Sequence, residues 1–256
     1  MLILKSVQNL FMKIILNPKY ERLRAYMTKL EEHFENEGHE IHSGRNVIKT
    51  LKVDGLTLCV KRYAPPTLQR RLQQMIYKSS KGKQAYWRPM QLRERGFESP
   101  ESIAYVMYRH GLWKQTTYFV CLLSNYRYNM LTLTGESTDE QHNVLTAFAR
   151  FAAHLHEGGF LHRDFSSTNI LYDKIGERYH FSLIDTNNMK CGTSVSIEAG
   201  CKNLAQLTGN DQFFAFLTER YAEERKADPE RCAKLINEAR KNMVLKFPTP
   251  NKEGGK

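Results

Sequence analysis

The chain has 256 residues, of which 41% are hydrophobic and 25% charged, and its formal net charge is +11. These values are typical of a globular protein with one large domain or two small lobes, and no run approaches the roughly 18 apolar residues that span a bilayer. The positive charge favours anionic partners such as nucleotide phosphates, acidic headgroups or an acidic substrate. Nucleic acid is not expected as a partner, because the tyrosines and arginines form no recognisable recognition element.

The five cysteines, at positions 59, 121, 191, 201 and 232, are odd in number and form no CxxC pair. Cys59 and Cys121 lie in apolar strand-like runs and are predicted to be buried thiols, and the cysteine usage indicates a reducing compartment and no structural metal. His154 and His156 are two positions apart on a predicted helix, so they face different ways and are not expected to share a metal.

The start of the chain is apolar. Lys5 and Lys13 interrupt the apolar run and no small-residue cleavage site follows, which argues against a signal peptide and leaves three interpretations. A packed terminal element is favoured. The alternatives are an unstructured extension before Met12 and a helix at a membrane interface. The apolar face of that helix would contain Leu2, Ile3, Leu10, Phe11, Ile14 and Ile15.

The first half of the chain alternates helical and strand-like patterns. A helix is predicted over residues 18–37, then a hairpin over 40–63 that turns at Asp54–Gly55. A basic helical stretch over 67–95 is interrupted at residues 79–82 and disturbed by Pro89. Two further strands are predicted at Ser102–Tyr108 and Thr117–Leu123.

The second half is mostly helical. A helix over Val144–His156 ends at Gly158–Gly159, and helices follow from Ile197 to about Lys246. Between them lie two short strands, Ile170–Tyr172 and Phe181–Ile184, separated by a turn at Asp173–Glu177. A strand-rich half joined to a helical half predicts a two-lobed α+β fold, with an N-terminal lobe over 1–125 and a compact helical C-terminal lobe over 126–256.

The segment from His162 to Asn169 carries the chemistry. It spells His-Arg-Asp, then Asn169 five positions after Asp164, and Asp185 ends a later apolar strand. This matches the protein-kinase arrangement of a catalytic loop followed by a metal-binding aspartate. Asp164 is therefore the candidate catalytic residue that orients the attacking hydroxyl. Asn169 and Asp185 are the candidate oxygen ligands for Mg²⁺ on the phosphates of ATP.

The N-terminal half should supply the nucleotide-binding residues. Lys61 follows the strand Leu56–Val60 and matches the kinase lysine that pairs with the phosphates. Gly44 and Arg45 lie in the turn between the first two strands and are further nucleotide-binding candidates.

Several features indicate a kinase for a small hydroxyl compound rather than for a peptide. No Ala-Pro-Glu triplet follows Asp185, the next residues are Thr186 and Asn187, and Ser166 occupies the position where peptide kinases usually have lysine.

From about Asn17 to about Asn242, the sequence resembles the Kdo/WaaP lipopolysaccharide kinases. The resemblance rests on the segments Asn17–Tyr20, Gly44–Lys49, Cys59–Tyr63, Arg95–Tyr105, His162–Leu171 and Leu183–Met189. It implies a protein-kinase-like fold and an ATP- and Mg²⁺-dependent transfer of phosphate to a sugar of the lipopolysaccharide inner core. It also implies a cytoplasmic protein, with peripheral contact at the anionic inner face of the cell membrane.

One departure leaves alternatives open. Kinases usually place a glutamate in the helix after the lysine strand, but over residues 67–95 the one acidic residue is Glu94. The alternatives to a lipopolysaccharide kinase are a soluble small-molecule kinase of the aminoglycoside or choline type and a catalytically silent nucleotide-binding module. The sequence specifies neither the acceptor sugar nor the oligomeric state.

Overall fold

The computed structural model describes residues 12–64, 81–110, 114–133 and 138–246. In these ranges the chain is an α+β protein, with a strand-rich first part and a helical second part, as the sequence predicts. The chain divides into two compact units. The N-terminal unit contains the residues up to Asn125 together with Asp185–Asn188, and the C-terminal unit contains Tyr126–Ile184 and the residues from Met189 onward. No helix among the described residues is both long and apolar enough to cross a membrane.

An antiparallel sheet of six strands is the framework of the N-terminal unit, as far as its residues are described. In chain order the strands are β1 (Met12–Leu16), β2 (His39–Ser43), β3 (Val47–Val53), β4 (Leu56–Tyr63), β5 (Ser102–His110) and β6 (Lys114–Leu122). Across the sheet the order is β1-β5-β6-β4-β3-β2. Strand β4 is therefore hydrogen-bonded on both sides, which fixes the position of its residues along the sheet.

Strand β1 contains part of the apolar N-terminal segment and forms an edge strand of this sheet. Ile14 lies opposite Val106 and Ile15 opposite Tyr105 in the pairing with β5. The packed terminal element is confirmed for Met12–Leu16. The interfacial-helix alternative is wrong for Ile14 and Ile15, because their backbone groups are committed to a sheet edge. Its other residues, and the proposed extension before Met12, lie outside the described residues.

The sheet has two different faces. One face packs against two short helices, α1 (Arg24–Thr28) and α2 (Leu30–Asn36), and forms the hydrophobic core of the unit. Buried members of this core include Leu23, Met27, Leu30, Phe34, Leu51, Leu58, Val60, Val106, Tyr118 and Val120. Side chains alternate along a strand, so Lys61 and Tyr63 project from the opposite face to Leu58 and Val60.

The helix predicted over 18–37 consists of three shorter pieces. A 3₁₀ helix spans Pro18–Leu23 and precedes α1 and α2. Tyr20 (φ −112°, ψ 25°) and Lys29 (φ −109°, ψ 16°) depart from helical geometry. The apolar spacing is nevertheless correct, because Leu23, Met27, Leu30 and Phe34 are buried and Tyr26 packs partly buried against the same core. The chain bends at Tyr20 and Lys29 and so packs its apolar side chains onto the twisted sheet. Apolar spacing predicts which residues are buried but not where the helix bends.

Helix α3 (Lys81–Glu94) packs against the opposite face of the sheet, on β5 and β6. Ser102 Oγ donates a hydrogen bond of 2.8 Å to the carbonyl of Tyr86. Gly82 allows the close approach, since a Cβ there would lie 2.8 Å from both Thr117 Cγ2 and Tyr105 Cε2.

The predicted interruption is wrong for Gly82, which lies within α3, and Pro89, predicted to disturb the helix, also lies inside it. Proline removes one backbone donor, which disfavours a helix interior. Burial of Ala85, Tyr86 and Leu92 holds the helix on the sheet despite that cost. The part of the prediction over residues 67–80 lies outside the described residues.

The C-terminal unit contains four helices and several short strands among its described residues. The helices are α4 (Asp139–Glu157), α5 (Ile197–Leu204), α6 (Asp211–Glu224) and α7 (Pro229–Lys246). The strands are β7 (Tyr128–Asn129), β8 (Phe160–Leu161), β9 (Ile170–Ile175), β10 (Arg178–Leu183) and β11 (Lys190–Cys191). Helix α4 starts earlier than predicted, because the Thr138 side chain caps it by accepting from the Gln141 N–H.

The hairpin of β9 and β10 is longer than the sequence predicts. The turn placed at Asp173–Glu177 is confined to Gly176 and Glu177. Asp173 is instead a buried strand residue held by Arg127, with 2.6 Å between Nη2 and Oδ1 and 2.9 Å between Nε and Oδ2. Hydrogen bonding to this guanidinium lowers the pKa of Asp173 to about 2. The ion pair offsets the cost of burying a carboxylate in what looks like a turn sequence.

The five cysteines are free thiols. Cys121 is buried and Cys59 is half-buried opposite it on β4. Cys201 and Cys232 are both buried, and burial raises the pKa of Cys201 to about 12.

Candidate active site

The loop after β8 carries Asp164 and contains both buried and exposed residues. His162 is buried, Asp164 is exposed, and Phe165 is buried against Phe148, with 6.0 Å between the ring centroids. The Asp164 N–H donates to His162 Nδ1 at 3.2 Å. His162 Nε2 therefore carries the proton and donates to the carbonyl of Ile184 at 3.0 Å. The loop is thus anchored by its neighbours while the Asp164 carboxylate faces solvent.

Asn169 is bonded to the same loop. Its Nδ2 donates to the carbonyl of Asp164 at 3.0 Å, which leaves Oδ1 as the atom available to another group. The backbone carbonyl of Asn169 accepts from the N–H of Ile184 at 3.0 Å. Asp164, Asn169 and Ile184 are therefore brought together, and Ile184 immediately precedes Asp185 in the chain.

A buried polar network supports this loop from below, and the sequence gives no sign of it. Asn203 Nδ2 donates to the His162 carbonyl at 2.7 Å, and Asn203 Oδ1 lies 3.1 Å from His156 Nε2. His156 Nδ1 lies 2.8 Å from the Tyr221 hydroxyl, which also accepts from Arg225. Burial lowers the pKa of His156 to about 4, so this imidazole is neutral near pH 7.

Two residues in the segment between α5 and α6 also form hydrogen bonds with the loop that carries Asp164. Gln206 Oε1 accepts from the Phe165 N–H at 3.1 Å, and the Ser167 hydroxyl accepts from the Thr208 N–H at 2.9 Å. These contacts join segments far apart in sequence, so no local motif could have revealed them.

In the N-terminal unit, Lys61 and Asp185 form an ion pair with 2.8 Å between Nζ and Oδ1. Strand pairing positions Lys61, which lies opposite Ile48 on β3 and Phe119 on β6. Its ammonium group also lies 5.4 Å from the centre of the Tyr63 ring, on the same face of β4. The Asp185 side chain is 34% exposed, so a carboxylate surface remains open to solvent.

The backbone at Asp185 is in an uncommon conformation. Its φ of 53° lies in the left-handed region, which few residues other than glycine adopt, although aspartate is among the more tolerant. Such conformations cost about 1–3 kcal/mol and are found mainly where function requires them. The 3₁₀ turn Thr186–Asn188 follows directly.

Asn187, in that turn, is buried and donates from Nδ2 to Asp185 Oδ1. Its Oδ1 and the hydroxyl of Tyr63 are both buried without a hydrogen-bond partner among the described residues. The pKa of Tyr63 is raised, mainly by burial and then by the Asp185 carboxylate, while the nearby Asn187 amide opposes the rise. Lys61, Tyr63, Asp185 and Asn187 are thus one cluster, of which the sequence identifies two members.

Gly44 and Arg45 lie in the turn between β2 and β3, where the sequence places them, and both are exposed. Neither is hydrogen-bonded or ion-paired to Lys61 or Asp185 within the described part of the chain. The neighbouring Asn46 has a structural contact, since its Oδ1 accepts from the Ala64 N–H at 3.2 Å. Glu94, at the end of α3, is exposed and is not the ion-pair partner of Lys61.

Comparison with known families identifies the class of protein. The model of the lipopolysaccharide kinase (Kdo/WaaP) family matches residues 87–223, which is more than half of the chain and includes the loop of Asp164 and Asn169 as well as Asp185. This chain belongs to the lipopolysaccharide kinase family. A kinase, and hence a transferase of lipopolysaccharide biosynthesis, is the activity class of that family.

The fold of this family member is also found among solved structures. A structure described as WaaP in complex with acyl carrier protein is similar over 92% of this chain and 99% of that chain, with a TM-score of 0.63 and 15% sequence identity. At that identity the similarity establishes the fold, which is the protein-kinase-like fold predicted from the sequence. No match was found among curated protein sequences.

The residues of this lipopolysaccharide kinase family member fit a hard divalent cation. Mg²⁺ prefers carboxylate and amide oxygens, and Asp185 offers a half-exposed carboxylate while Asn169 keeps Oδ1 unused by its own hydrogen bond. No group of three or more His, Cys, Asp or Glu residues suited to a permanently held metal occurs among the described residues.

Proposed function

We propose that this protein is an ATP-dependent kinase that phosphorylates a sugar hydroxyl of the lipopolysaccharide inner core. The ion pair of Lys61 with Asp185, at 2.8 Å, is the observation that carries the proposal. The catalytic motifs assign these residues to the nucleotide phosphates and to the metal, and their side chains are adjacent although they are distant in sequence. Family membership supports a sugar as the acceptor.

Each candidate residue has a task in this reaction. Lys61 pairs with the α- and β-phosphates of ATP, and Gly44 and Arg45 line the phosphates from the β2–β3 turn. Asp164 accepts a hydrogen bond from the acceptor hydroxyl and aligns its oxygen with the γ-phosphorus. It takes up the proton as the new oxygen–phosphorus bond forms and the bond from the γ-phosphorus to the bridging oxygen breaks, which releases ADP. Asn169 and Asp185 hold Mg²⁺, which when bound neutralises charge on the phosphate oxygens.

The two units correspond, in this proposal, to the two lobes of a kinase. The N-terminal lobe, over residues 1–125, supplies the nucleotide-binding sheet, and the C-terminal lobe, over 126–256, supplies the catalytic loop. The protein is cytoplasmic in this proposal, and its net charge of +11 supports docking on anionic lipopolysaccharide or on the inner face of the cell membrane.

Transfer of labelled γ-phosphate from ATP tests this function. The acceptors are lipopolysaccharide core fragments, free sugars, choline and an aminoglycoside, each with and without Mg²⁺. Labelling of core fragments alone supports the proposal. Labelling of choline or the aminoglycoside instead would establish a soluble small-molecule kinase. ATP binding without transfer to any acceptor would establish a silent nucleotide-binding module.

A further inference from the structure

The ion pair of Lys61 lacks the support that kinases usually give it. The helix that packs beside the lysine strand usually carries a glutamate for this lysine. Helix α3 has one acidic residue, Glu94, which is exposed at the helix end. Among the described residues, the ion-pair partner of Lys61 is Asp185.

Helix α3 offers no glutamate to Lys61, but it packs against the turn that follows Asp185. The turn Thr186–Asn188 lies against α3, and both Thr186 and Asn187 are buried. The exposed residue of the turn is Asn188. The helix therefore acts on the ion pair indirectly, through the residue that it buries.

Asn187 makes the connection. It is 4% exposed, and its Nδ2 donates to the same Asp185 oxygen that pairs with Lys61. Its Oδ1 is buried without a partner in the described part of the chain, as is the hydroxyl of Tyr63 beside it. A buried amide with one unsatisfied atom is less favourable for stability than an apolar side chain of the same shape. A residue that lowers stability at a functional site indicates a role in that site.

We propose that Asn187 is a positioning residue that replaces the missing helix glutamate. Its amide fixes the carboxylate orientation of Asp185, and the fixed carboxylate in turn holds Lys61 at the place where the nucleotide phosphates bind. The part of this inference that concerns nucleotide rests on the proposed function. The part that concerns the order of the ion pair stands on the geometry alone.

Substitution of Asn187 by leucine isolates this role. Leucine has nearly the same volume and no polar atoms, so Asn187→Leu removes the hydrogen bond to Asp185 and also removes the unsatisfied Oδ1. Asn188→Leu is the matched control, because it makes the same chemical change at the exposed neighbour in the same turn. Asn187→Ala is a second variant for the case in which leucine prevents folding, and circular dichroism checks the fold of each.

The first readout needs no nucleotide. Trinitrobenzenesulfonate labels the amine of lysine, and peptide mass spectrometry follows its rate at Lys61. The Lys61 side chain is 13% exposed and its ammonium is held in the ion pair, so the reagent reaches it less often than it would reach a freely moving side chain. We expect labelling of Lys61 to be at least about threefold faster in Asn187→Leu and unchanged in Asn188→Leu. An unchanged rate in folded Asn187→Leu and Asn187→Ala would overturn the inference.

The second readout is the dissociation constant for Mg²⁺-ATP and the Mg²⁺ concentration at half-maximal transfer. Both should rise about tenfold in Asn187→Leu, while transfer at saturating Mg²⁺-ATP falls less. Loss of transfer at unchanged affinity would contradict a positioning role. If the wild type neither binds Mg²⁺-ATP nor transfers phosphate, the proposed function fails, and the labelling rate of Lys61 alone decides the inference.

Discussion

Lys61 on β4 and Asp185, two residues after the end of β10, form an ion pair at 2.8 Å within the N-terminal unit, although residues 126–184 between them belong to the C-terminal unit. The four residues Asp185–Asn188 return to the N-terminal unit directly after Ile184, which is bonded to the catalytic loop. The chain therefore passes from the C-terminal unit to the N-terminal unit at the peptide bond between Ile184 and Asp185.

Replacement of Lys61 by methionine should abolish most activity without unfolding the protein. Methionine retains the apolar contact with Tyr63 but has no charge for the phosphates. Loss of one charge-stabilising donor costs about 10²–10³ in rate, so we expect a reduction of that size in kcat/KM. Lys52→Met on the exposed part of β3 is the control. Equal losses in both variants would mean that general surface charge, rather than Lys61, is responsible.

Stability should depend on pH through His156. Its pKa in the folded protein is about 4, below the ordinary value of 6.5, because the ring is buried. The unfolded chain therefore binds a proton between these values while the folded chain does not. The contribution of neutral His156 to the free energy of unfolding is fully present above pH 6.5, and about 3 kcal/mol of it is lost as the pH drops towards 4. Urea unfolding across this window should show the loss.

His156→Gln should remove that part of the pH dependence, and His154→Gln should keep it. His154 lies on the same helix but is exposed. A slope between pH 6.5 and 4 that survives in His156→Gln would assign the effect to other groups.

A methyl group at Gly200 should disrupt the network that supports the catalytic loop. A Cβ at this position on α5 would lie 2.1 Å from the Tyr221 hydroxyl and 2.9 Å from His156 Nδ1. Both groups are buried and bonded to each other, so they have little freedom to move. Overpacking typically costs 1–3 kcal/mol, and we expect Gly200→Ala to lower the unfolding free energy by about that amount.

Gly192→Ala is the matched control, since the nearest atom to its Cβ would be 4.0 Å away. Its effect should stay within about 0.5 kcal/mol. If Gly200→Ala lowered the unfolding free energy no more than Gly192→Ala does, the Tyr221 and His156 side chains would have moved away from the added methyl group, and the predicted clash would be contradicted.

The positive charge should govern docking on anionic surfaces. Binding to vesicles of phosphatidylglycerol or to lipopolysaccharide should weaken as salt approaches about 0.5 M, because the screening length then falls below about 5 Å. Co-sedimentation at increasing salt measures this. Binding that does not change with salt would point to an apolar contact and would contradict electrostatic docking.

The sequence predicts those parts of the fold and site that depend on local pattern. His162, Asp164 and Asn169 have fixed spacing within one loop, and Lys61 directly follows an apolar strand run. The buried positions around Leu23 and Phe34 were likewise visible as helical spacing. These features need only a short window of sequence.

The remaining parts depend on contacts across the chain. The strand role of Ile14 and Ile15 is determined by pairing with β5, and a run this short fits a helix equally well. Asn203 and Asn187 support the loop and the ion pair through single hydrogen bonds from distant or motif-free positions. Polar residues in such roles look like ordinary surface residues until the fold buries them.

The most direct test of the central claim is the rate of phosphate transfer by Asp164→Asn with a lipopolysaccharide core acceptor. Asparagine is nearly isosteric and should keep the loop bonds made by the Asp164 backbone, so Mg²⁺-ATP affinity should match the wild type. Loss of the general base should lower kcat by about 10²-fold or more. Asp185→Asn should instead weaken Mg²⁺-ATP binding. Transfer by Asp164→Asn at the wild-type rate would contradict the catalytic assignment.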